Sequence, residues 1–269
     1  MRLLFVLVSV TAAVAATAAH IGLAATAGGA VVHAAICTEA PLTRVSNSFL
    51  GVNIDAASLY EGTRLDFRDP KLREMGRVLG QASPYPMTLR VGGSAADDLT
   101  FSHANVTIHV SYSYWDEMLD FCNSSGLALS FDLNAMSMRK GGAWDSTEAQ
   151  SLLEHVRGKD QAVWAFQLGN EPGHWQTRHG GTPGPAEHGA DFAALRKLLE
   201  ETFGNTKAPR IQGPDVCFGN GTSASPCASA EYLSTLLRAA KGSIDDVTVR
   251  RFKEKRELTL IARQKAKLT

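Results

Sequence analysis

The sequence predicts an α/β fold of the (β/α)8 TIM-barrel type that is incomplete, with about six strands in 269 residues. After residue 45, strand-like and helix-like segments alternate, and the strand-like segments are apolar throughout, as in a parallel sheet covered on both faces. Polar residues recur where these segments end, which is where a barrel gathers its active site. An open doubly wound sheet is the alternative, but no G-x-G-x-x-G follows the first strand, so a dinucleotide-binding fold has no support.

The strands are predicted from short apolar runs that stop at glycine or at a polar residue. The first, FLGVNIDA, ends at Asp55, and the second, MTLRVGG, is stopped by its glycines. The third ends at Asn134, the fourth at Asn170-Glu171 and the fifth near Asp215. The predicted strands are 49–56, 87–93, 127–135, 162–171, 210–216 and the beginning of a sixth at 244–249.

The helices are predicted from apolar spacing and from their end signals. In the first, Leu72, Met75, Val78 and Leu79 fall on one face, and a proline stands at its start. The others open with Asp/Ser caps or close on glycine, such as Gly126. The predicted helices are 69–82, 114–126, 145–158, 185–204 and 229–242.

The N-terminus has the pattern of a secretory signal peptide. Arg2 precedes a short Leu/Val-rich run and small-residue steps, which predicts a signal over residues 1–27 and a linker over 28–45. The protein is then expected to be secreted or to reach a lysosomal or vesicular compartment. The alternative is an uncleaved membrane anchor, since no charged residue lies between Arg2 and Glu39 and ~20 apolar residues can span a bilayer.

Glycosylation and cysteine patterns also fit the secretory route. Three N-x-S/T acceptor sites occur, at Asn105, Asn123 and Asn220. Cys217 and Cys227 flank a Gly/Ser/Pro loop and are predicted to form a disulfide.

Cys37 and Cys122 have no evident relation to each other. A buried helical thiol is an equally good interpretation of Cys122.

The charge is divided unevenly along the chain. Residues 250–269 carry +6 and the first 249 residues carry −6, so an acidic body precedes a basic tail. The acidic body makes nucleic acid an unfavourable partner. The tail is predicted to be a charged, helix-like run, with three open explanations: an incomplete product, a genuine truncated isoform that contacts acidic glycans or a membrane surface, or a solvated helix without a role.

Glu171 is the candidate catalytic residue. It ends an apolar strand, Pro172 fixes the chain direction behind it, and Asn170 supplies an amide that can bind a substrate hydroxyl. Protonating a poor leaving group is what glycoside hydrolysis requires of such a carboxyl. Trp175, in the loop that follows, is a candidate for stacking on a sugar.

No metal or cofactor is predicted. The loop after Glu171 contains His174, His179 and His188, whose spacing matches no standard metal site.

Three segments together resemble the heparanase-like enzymes of glycoside hydrolase family 79. They are 49–101, with LRVGGSAADDLTF at its end, 115–136, with SFDLNAM, and 164–172, WAFQLGNEP. RIQGPDV and AEYLSTLLRAAKGSIDDVTV also fit, so the resemblance extends over 46–249 and implies a partial TIM-barrel glycosidase domain there. It implies a retaining endo-β-glucuronidase that acts on uronic-acid polysaccharides or heparan-sulfate-like proteoglycan chains.

The resemblance also implies residue roles. Glu171 matches the general acid/base, and Asn170 matches the neighbour that contacts the hydroxyl beside the reacting carbon. Asp55 and the turn residues Gly93 and Ser94 are expected to line the subsite for the uronic acid. Asn134 is a plausible wall residue, although a structural hydrogen bond at the strand end explains Asp55 or Asn134 equally well.

The resemblance ends before the second carboxylate. Retaining glycosidases use two carboxylates ~5 Å apart, and the resemblance implies a nucleophilic glutamate at the end of strand seven. After residue 249 the basic tail 250–269 follows, unrelated to the family, and its Glu254 and Glu257 match no strand end. The chain is therefore expected to be inactive or nearly so, the alternative being a non-catalytic glycan-binding isoform.

Overall fold

The computed structural model describes two units of the chain separately. Residue contacts divide it into Met1–Ser46 and Asn47–Thr269. In the first unit, β1 (Leu23–Ala27) pairs antiparallel with β2 (Ala30–Ala34), so a hairpin stands where the signal-to-linker junction is predicted. Residues 1–22, which hold most of the predicted signal, lie outside the description. The described residues are 23–27, 30–34, 50–60, 64–101, 108–175, 179–180, 183–218, 230–253 and 256–262.

The second unit is built on a seven-stranded sheet. Its first six strands in chain order are parallel and its last strand is antiparallel, which confirms the predicted barrel-type fold. In spatial order the sheet reads β11-β10-β9-β8-β5-β4-β3, so its strands are neighbours in chain order. A short hairpin, β6 (Arg139–Lys140) with β7 (Ala143–Trp144), lies outside the sheet. The sheet strands are β3 (Gly51–Asp55), β4 (Met87–Gly92), β5 (Leu127–Leu133), β8 (Ala165–Leu168), β9 (Arg210–Phe218), β10 (Asp246–Lys253) and β11 (Arg256–Ala262).

Among the residues that the structure describes, five helices with defined ends lie between the strands, close to their predicted positions. The Asp69 side chain accepts from two N–H groups of the first turn of α1, beside Pro70 at its start. Gly126, in the left-handed conformation, ends α2. The Asp145 carboxylate accepts from the Thr147 N–H and hydroxyl where α3 begins. The helices are α1 (Pro70–Gln81), α2 (Tyr112–Ser125), α3 (Thr147–Gly158), α4 (Pro185–Phe203) and α5 (Ala230–Ala240).

The sheet is strongly curved. Arg90 on β4 lies 2.9 Å from a carboxylate oxygen of Asp215 on β9, although β5 and β8 separate these strands. In a flat sheet, three strand spacings amount to ~14 Å. The Ser130 hydroxyl on β5 likewise donates to Gln212 on β9 across β8, at 2.7 Å. These polar side chains share the concave face of a half-barrel.

The opposite, convex face carries the apolar core. Phe131 on β5 packs edge-on against Trp115 of α2, with ring centroids 4.8 Å apart. Leu89 and Val91 on β4 and Phe166 on β8 belong to the same buried cluster. The strands therefore alternate between hydrogen-bonded polar residues inside and apolar residues under the helices.

The face that α1 buries differs from the prediction. Met75 and Val78 are 58% and 54% exposed. The side of α1 that faces α2 carries Gly76 and Gly80 instead, and both helices approach closely there. A β-carbon at Gly76 would lie 2.5 Å from the Ser125 hydroxyl, and one at Gly80 would lie 1.7 Å from the Ser125 carbonyl oxygen. Close approach of α2 at these glycines rotates the two apolar side chains outward.

The helix-like prediction for the tail is also wrong. Residues 256–262 form β11, which pairs antiparallel with β10 from Val247↔Ala262 to Lys253↔Arg256. Strand-favouring residues in LTLIA and the unpaired edge of β10 together explain this outcome. The residues beyond Ala262 lie outside the description.

The remaining secretory-route predictions are tested only in part. Asn123 is exposed in the last turn of α2, whereas Asn105 and Asn220 lie outside the described residues, so glycosylation stays a prediction. Cys122 is a buried free thiol on α2, and burial raises its pKa to about 12. In the described part of the chain, no helix combines the length and apolarity needed to cross a membrane.

Contact between α4 and α5 depends on Gly189, and this dependence can be tested. We expect Gly189→Ala to lower the free energy of unfolding by about 1–3 kcal/mol, because the added β-carbon would meet the Leu236 carbonyl oxygen at 2.4 Å and the Ala239 β-carbon at 2.6 Å. Gly158→Ala, in α3, is the matched control because its β-carbon meets nothing within 4 Å. Urea unfolding followed by circular dichroism measures both, and equal effects of the two variants would contradict the packing account.

Candidate active site

The candidate acid, Glu171, lies just past the C-terminal end of β8 in a backbone conformation rare for its residue type. Gly169 (φ 81°) leads into the turn, and Glu171 itself is left-handed, with φ 48° and ψ 67°. Pro172 then opens a short 3-10 turn whose His174 N–H donates to the Glu171 carbonyl oxygen at 2.8 Å. Only 8% of Glu171 is exposed. Such an outlier is typical of a functional site.

The structure brings most of the predicted site residues to one edge of the sheet. The Asn170 amide nitrogen lies 3.4 Å from the Ser94 hydroxyl and 3.4 Å from a Glu171 carboxylate oxygen. Gly93, left-handed in φ at 111°, packs against the Asp55 carboxylate so closely that a β-carbon there would lie 2.9 Å from it. Asp55 also accepts from the Ala57 N–H and so caps the turn after β3.

Arg90 connects these strand ends, although sequence reasoning did not identify it. Its guanidinium donates to Gln167 at 2.7 Å, to Asn53 at 3.0 Å and to the Asn170 side-chain oxygen at 3.2 Å. It also lies 3.3 Å from Asp132 and 2.9 Å from Asp215, two buried carboxylates. One cation is therefore shared between two buried carboxylates, and it also orients the amide next to Glu171.

The structure gives Asn134 a structural role rather than a place in the cleft wall. Its amide nitrogen donates to the Leu99 carbonyl oxygen at 3.0 Å and also to Ser137. Its side-chain oxygen accepts from the Met136 and Ser137 N–H groups at 3.1 and 3.0 Å. With both polar atoms used, Asn134 closes the loop after β5 as a strand-end hydrogen-bonding residue.

Trp175 lies in the site region but cannot stack on a sugar in this conformation. The residue is 0% exposed, and its ring packs over Gly169, where a β-carbon would lie 2.5 Å from it. The other side of the ring faces His188, with centroids 4.7 Å apart, and its Nε1 donates to Asp97 at 2.9 Å. The prediction of a sugar-stacking role is corrected: the indole is part of the support under the Glu171 turn.

His174 and Cys217 also lie near Glu171. One oxygen, one nitrogen and one sulfur of these three residues lie within 4.8 Å of one another. Three atoms at this spacing do not define a coordination geometry, and we assign no metal to this cluster. The predicted partner Cys227 lies outside the described residues, so the Cys217–Cys227 pairing stays a prediction.

The residues that sequence reasoning missed, Arg90 and Asp97, did leave a signal. Arg90 is the only charged residue in the buried strand MTLRVGG, where an ion needs a partner. Asp97 stands in the segment SAADD after a Gly-Gly turn and is fully buried. A charged residue inside an apolar strand, or just after a glycine turn, indicates a buried network of hydrogen bonds and ion pairs. The sequence does not show which residues are the partners in that network.

Polar residues gathered at the C-terminal ends of parallel strands in a curved sheet are the arrangement in which barrel enzymes build their active sites. The model of glycosyl hydrolase family 79, N-terminal domain, matches residues 79–248, which is more than half of the chain. The chain belongs to glycosyl hydrolase family 79.

Similar curated proteins are heparanases and an inactive relative. Mouse (Mus musculus) heparanase is 28% identical over 266 residues, covering 78% of this chain and 47% of that protein. Chicken (Gallus gallus) heparanase is 36% identical over 99 residues, covering 37% and 18%. Human (Homo sapiens) inactive heparanase-2 is 30% identical over 116 residues, covering 43% and 19%. The chain thus spans about half the length of the mouse heparanase that it matches.

Similar solved structures are also glycoside-cleaving enzymes. A Paenibacillus polymyxa xyloglucanase from GH family 44 has a TM-score of 0.49 at 12% identity, covering 79% of this chain and 52% of that one. A monomeric β-xylosidase from Caulobacter crescentus has a TM-score of 0.46 at 13% identity, covering 82% and 47%. The fold assignment does not depend on these likenesses, because the strand order and curvature carry it.

His188, beneath the Glu171 turn, predicts a pH dependence of stability. Burial lowers its pKa to about 4, from an ordinary 6.5, although the bond from Nε2 to the Leu168 carbonyl oxygen opposes this. Between pH 6.5 and 4 the unfolded chain therefore binds more protons, so the free energy of unfolding falls as pH falls through this window. We expect this residue to contribute a loss of about 2 kcal/mol between pH 7 and pH 5.

The variant His188→Gln tests this contribution, because glutamine keeps a donor for the Leu168 carbonyl oxygen but does not titrate. Urea unfolding at pH 7 and pH 5 should show a smaller loss of stability in the variant than in the unmodified protein. Parallel pH curves would contradict the assignment.

Proposed function

We propose that this protein is a heparanase-type glycosidase-family protein whose site binds uronic-acid polysaccharide or proteoglycan chains, with Glu171 in the position of the general acid/base. The observation that carries the proposal is the Asn170–Glu171 turn, with the Ser94 hydroxyl and the Asp55–Gly93 contact at the same edge of the sheet. The names of the relatives, heparanases, support a heparan-sulfate-like glycan as ligand.

The proposed chemistry follows from where the polar atoms lie. The Glu171 carboxyl donates a proton to the glycosidic oxygen, while the Asn170 amide binds the hydroxyl next to the reacting carbon. The Asn170 amide is held by Arg90 on its oxygen side, which leaves its nitrogen directed toward Ser94 and Glu171. A fixed amide binds a sugar hydroxyl without first losing side-chain entropy.

A second carboxylate in the nucleophile's position has no counterpart in the described part of the sheet. Asp132 and Asp215 are the inward-facing acids near Arg90, and both are ion-paired with it. β11 runs antiparallel, and its Glu257 pairs with Phe252 on β10. Phe252 lies four residues further along β10 than Thr248, whose hydroxyl accepts from the Asp215 N–H. That offset is ~13 Å of strand, so we propose that this chain binds glycan without sustained turnover.

A non-catalytic isoform that binds glycan through its basic tail is the second candidate function, and the net charge of +6 on residues 250–269 favours it. Heparin retention separates a tail-based binding mode from a site-based one. If neutralising Arg263, Lys265 and Lys267 to Gln abolishes retention while Asn170→Ala does not, glycan binding belongs to the tail. The reverse result assigns it to the strand-end site.

Binding measurements test the proposed site. Asn170→Ala and Ser94→Ala should each weaken binding of a heparan-sulfate oligosaccharide about 5-fold, the loss expected for one hydrogen bond. Isothermal titration calorimetry measures this loss. Glu171→Gln is the matched control because its amide has the size, the acceptor and the donor capacity of the protonated carboxyl that the proposal requires. Its affinity should stay within about 2-fold of the unmodified protein.

Two results would contradict the proposal. Unchanged affinity in both Asn170→Ala and Ser94→Ala would place the glycan elsewhere. Sustained turnover of an aryl β-glucuronide that Glu171→Gln abolishes would show that the chain has a working nucleophile.

A further inference from the structure

The left-handed backbone at Glu171 needs support from its surroundings. A glutamate with φ 48° and ψ 67° sits in a sparsely populated region, and this conformation persists only where neighbouring contacts over-determine it. Pro172 fixes the chain on one side, and Gly169 permits the turn on the other. The Gly169 N–H also donates to the Leu133 carbonyl oxygen at 3.2 Å, which anchors the beginning of the turn to β5. Pro172 has no N–H with which to anchor the other side.

A single buried carboxylate, that of Asp97, provides such anchors on both sides of Glu171. The Asn170 N–H donates to Asp97 Oδ1 at 3.1 Å, and the Trp175 Nε1–H donates to Asp97 Oδ2 at 2.9 Å. Asp97 is 0% exposed, so both are charge-assisted hydrogen bonds shielded from water. The two donors stand one residue before and four residues after the candidate acid.

Asp97 is itself fixed to the neighbouring strand end. Its carbonyl oxygen accepts from the Met136 and Ser137 N–H groups, at 3.3 and 3.2 Å, in the loop after β5. It belongs to the 3-10 turn Ser94–Asp98, which also presents the Ser94 hydroxyl to Asn170. Asp97 therefore connects three places: its backbone lies after β4, its carbonyl oxygen binds the loop after β5, and its carboxylate binds the turn after β8.

We propose that Asp97 is a positioning residue that holds Glu171 in register with Ser94 and Asn170. The carboxylate acts through Asn170 and Trp175 and does not touch the glycan. The role of Glu171 in this proposal rests on the proposed function. The two hydrogen bonds from Asn170 and Trp175 to the Asp97 carboxylate, called the bracket below, are a property of the fold alone.

Asp97→Asn tests the bracket because asparagine keeps the shape but offers one acceptor oxygen. We expect the shorter bond, from the Trp175 Nε1–H at 2.9 Å, to keep the oxygen. The NH2 group then faces the Asn170 N–H, and the hydrogen bond of Asn170 is lost. We expect affinity for a heparan-sulfate oligosaccharide to fall about 5- to 10-fold. We also expect the amide proton signal of Asn170 to move upfield in NMR spectra, as a weakened hydrogen bond requires.

The double variant Asp97→Asn, Trp175→Phe separates positioning from loss of charge. Phenylalanine removes the indole donor, so the asparagine NH2 can face the ring while its oxygen accepts from the Asn170 N–H. Positioning predicts recovery of the Asn170 amide signal and of most of the affinity. A double variant no better than Asp97→Asn would show that charge alone matters and would overturn the proposal.

Asp116→Asn is the control for a purely structural effect. Asp116 on α2 accepts from His155 on α3 and from Lys159 and Gln161 just after α3, so its loss also destabilises the fold. It should leave the Asn170 signal and the glycan affinity unchanged. If Asp97→Asn behaves in the same way, Asp97 is structural only.

Two further measurements test the hydrogen bonds to Asp97 separately. One uses only the unmodified protein, so it does not depend on whether a variant folds, and the other separates these bonds from the proposed function. In the unmodified protein the Asn170 amide should exchange slowly with solvent, and exchange as fast as in an exposed loop would overturn the bracket. If the Asn170 signal responds as predicted while no variant, nor the unmodified chain, binds glycan, the bracket is supported and the proposed function fails.

Discussion

The ion pair of the Arg90 guanidinium with Asp132 and Asp215 is the interaction on which the site depends. It joins strands that lie up to three positions apart, so it exists only in a curved sheet. Removing Arg90 would leave two buried carboxylates without their cation, a cost of several kcal/mol. The same guanidinium orients Asn170. Arg90 therefore makes the geometry of the strand-end site depend on the curvature of the half-barrel.

Two sets of hydrogen bonds hold the Asn170–Glu171 turn from different sides. Arg90 acts from the concave face on the Asn170 side chain, and Asp97 acts from the neighbouring loops on the Asn170 backbone. Trp175 fills the space beside Gly169 and completes the support. A turn that is over-determined in this way can keep a strained backbone at Glu171, the residue that we propose faces a glycosidic bond.

Much of the fold could be predicted from the sequence, because strand and helix ends have local causes such as the Asp69 cap and the Gly126 stop. Features set by tertiary contact could not. Met75 is exposed because glycines elsewhere on α1 admit α2, and the tail forms β11 because β10 offers it an edge.

The site shows the same division. Glu171 and Asn170 were identified by their position at a strand end, but Trp175 is buried because Asp97 binds its indole nitrogen. The central claim is that the Asn170–Glu171 turn is the glycan-binding centre of the half-barrel, and a crystal structure of the chain with a glucuronate-containing heparan-sulfate trisaccharide tests it most directly. The account predicts a sugar hydroxyl within hydrogen-bond distance of Asn170 and the glycosidic oxygen within hydrogen-bond distance of the Glu171 carboxyl. A trisaccharide bound away from both residues would contradict it.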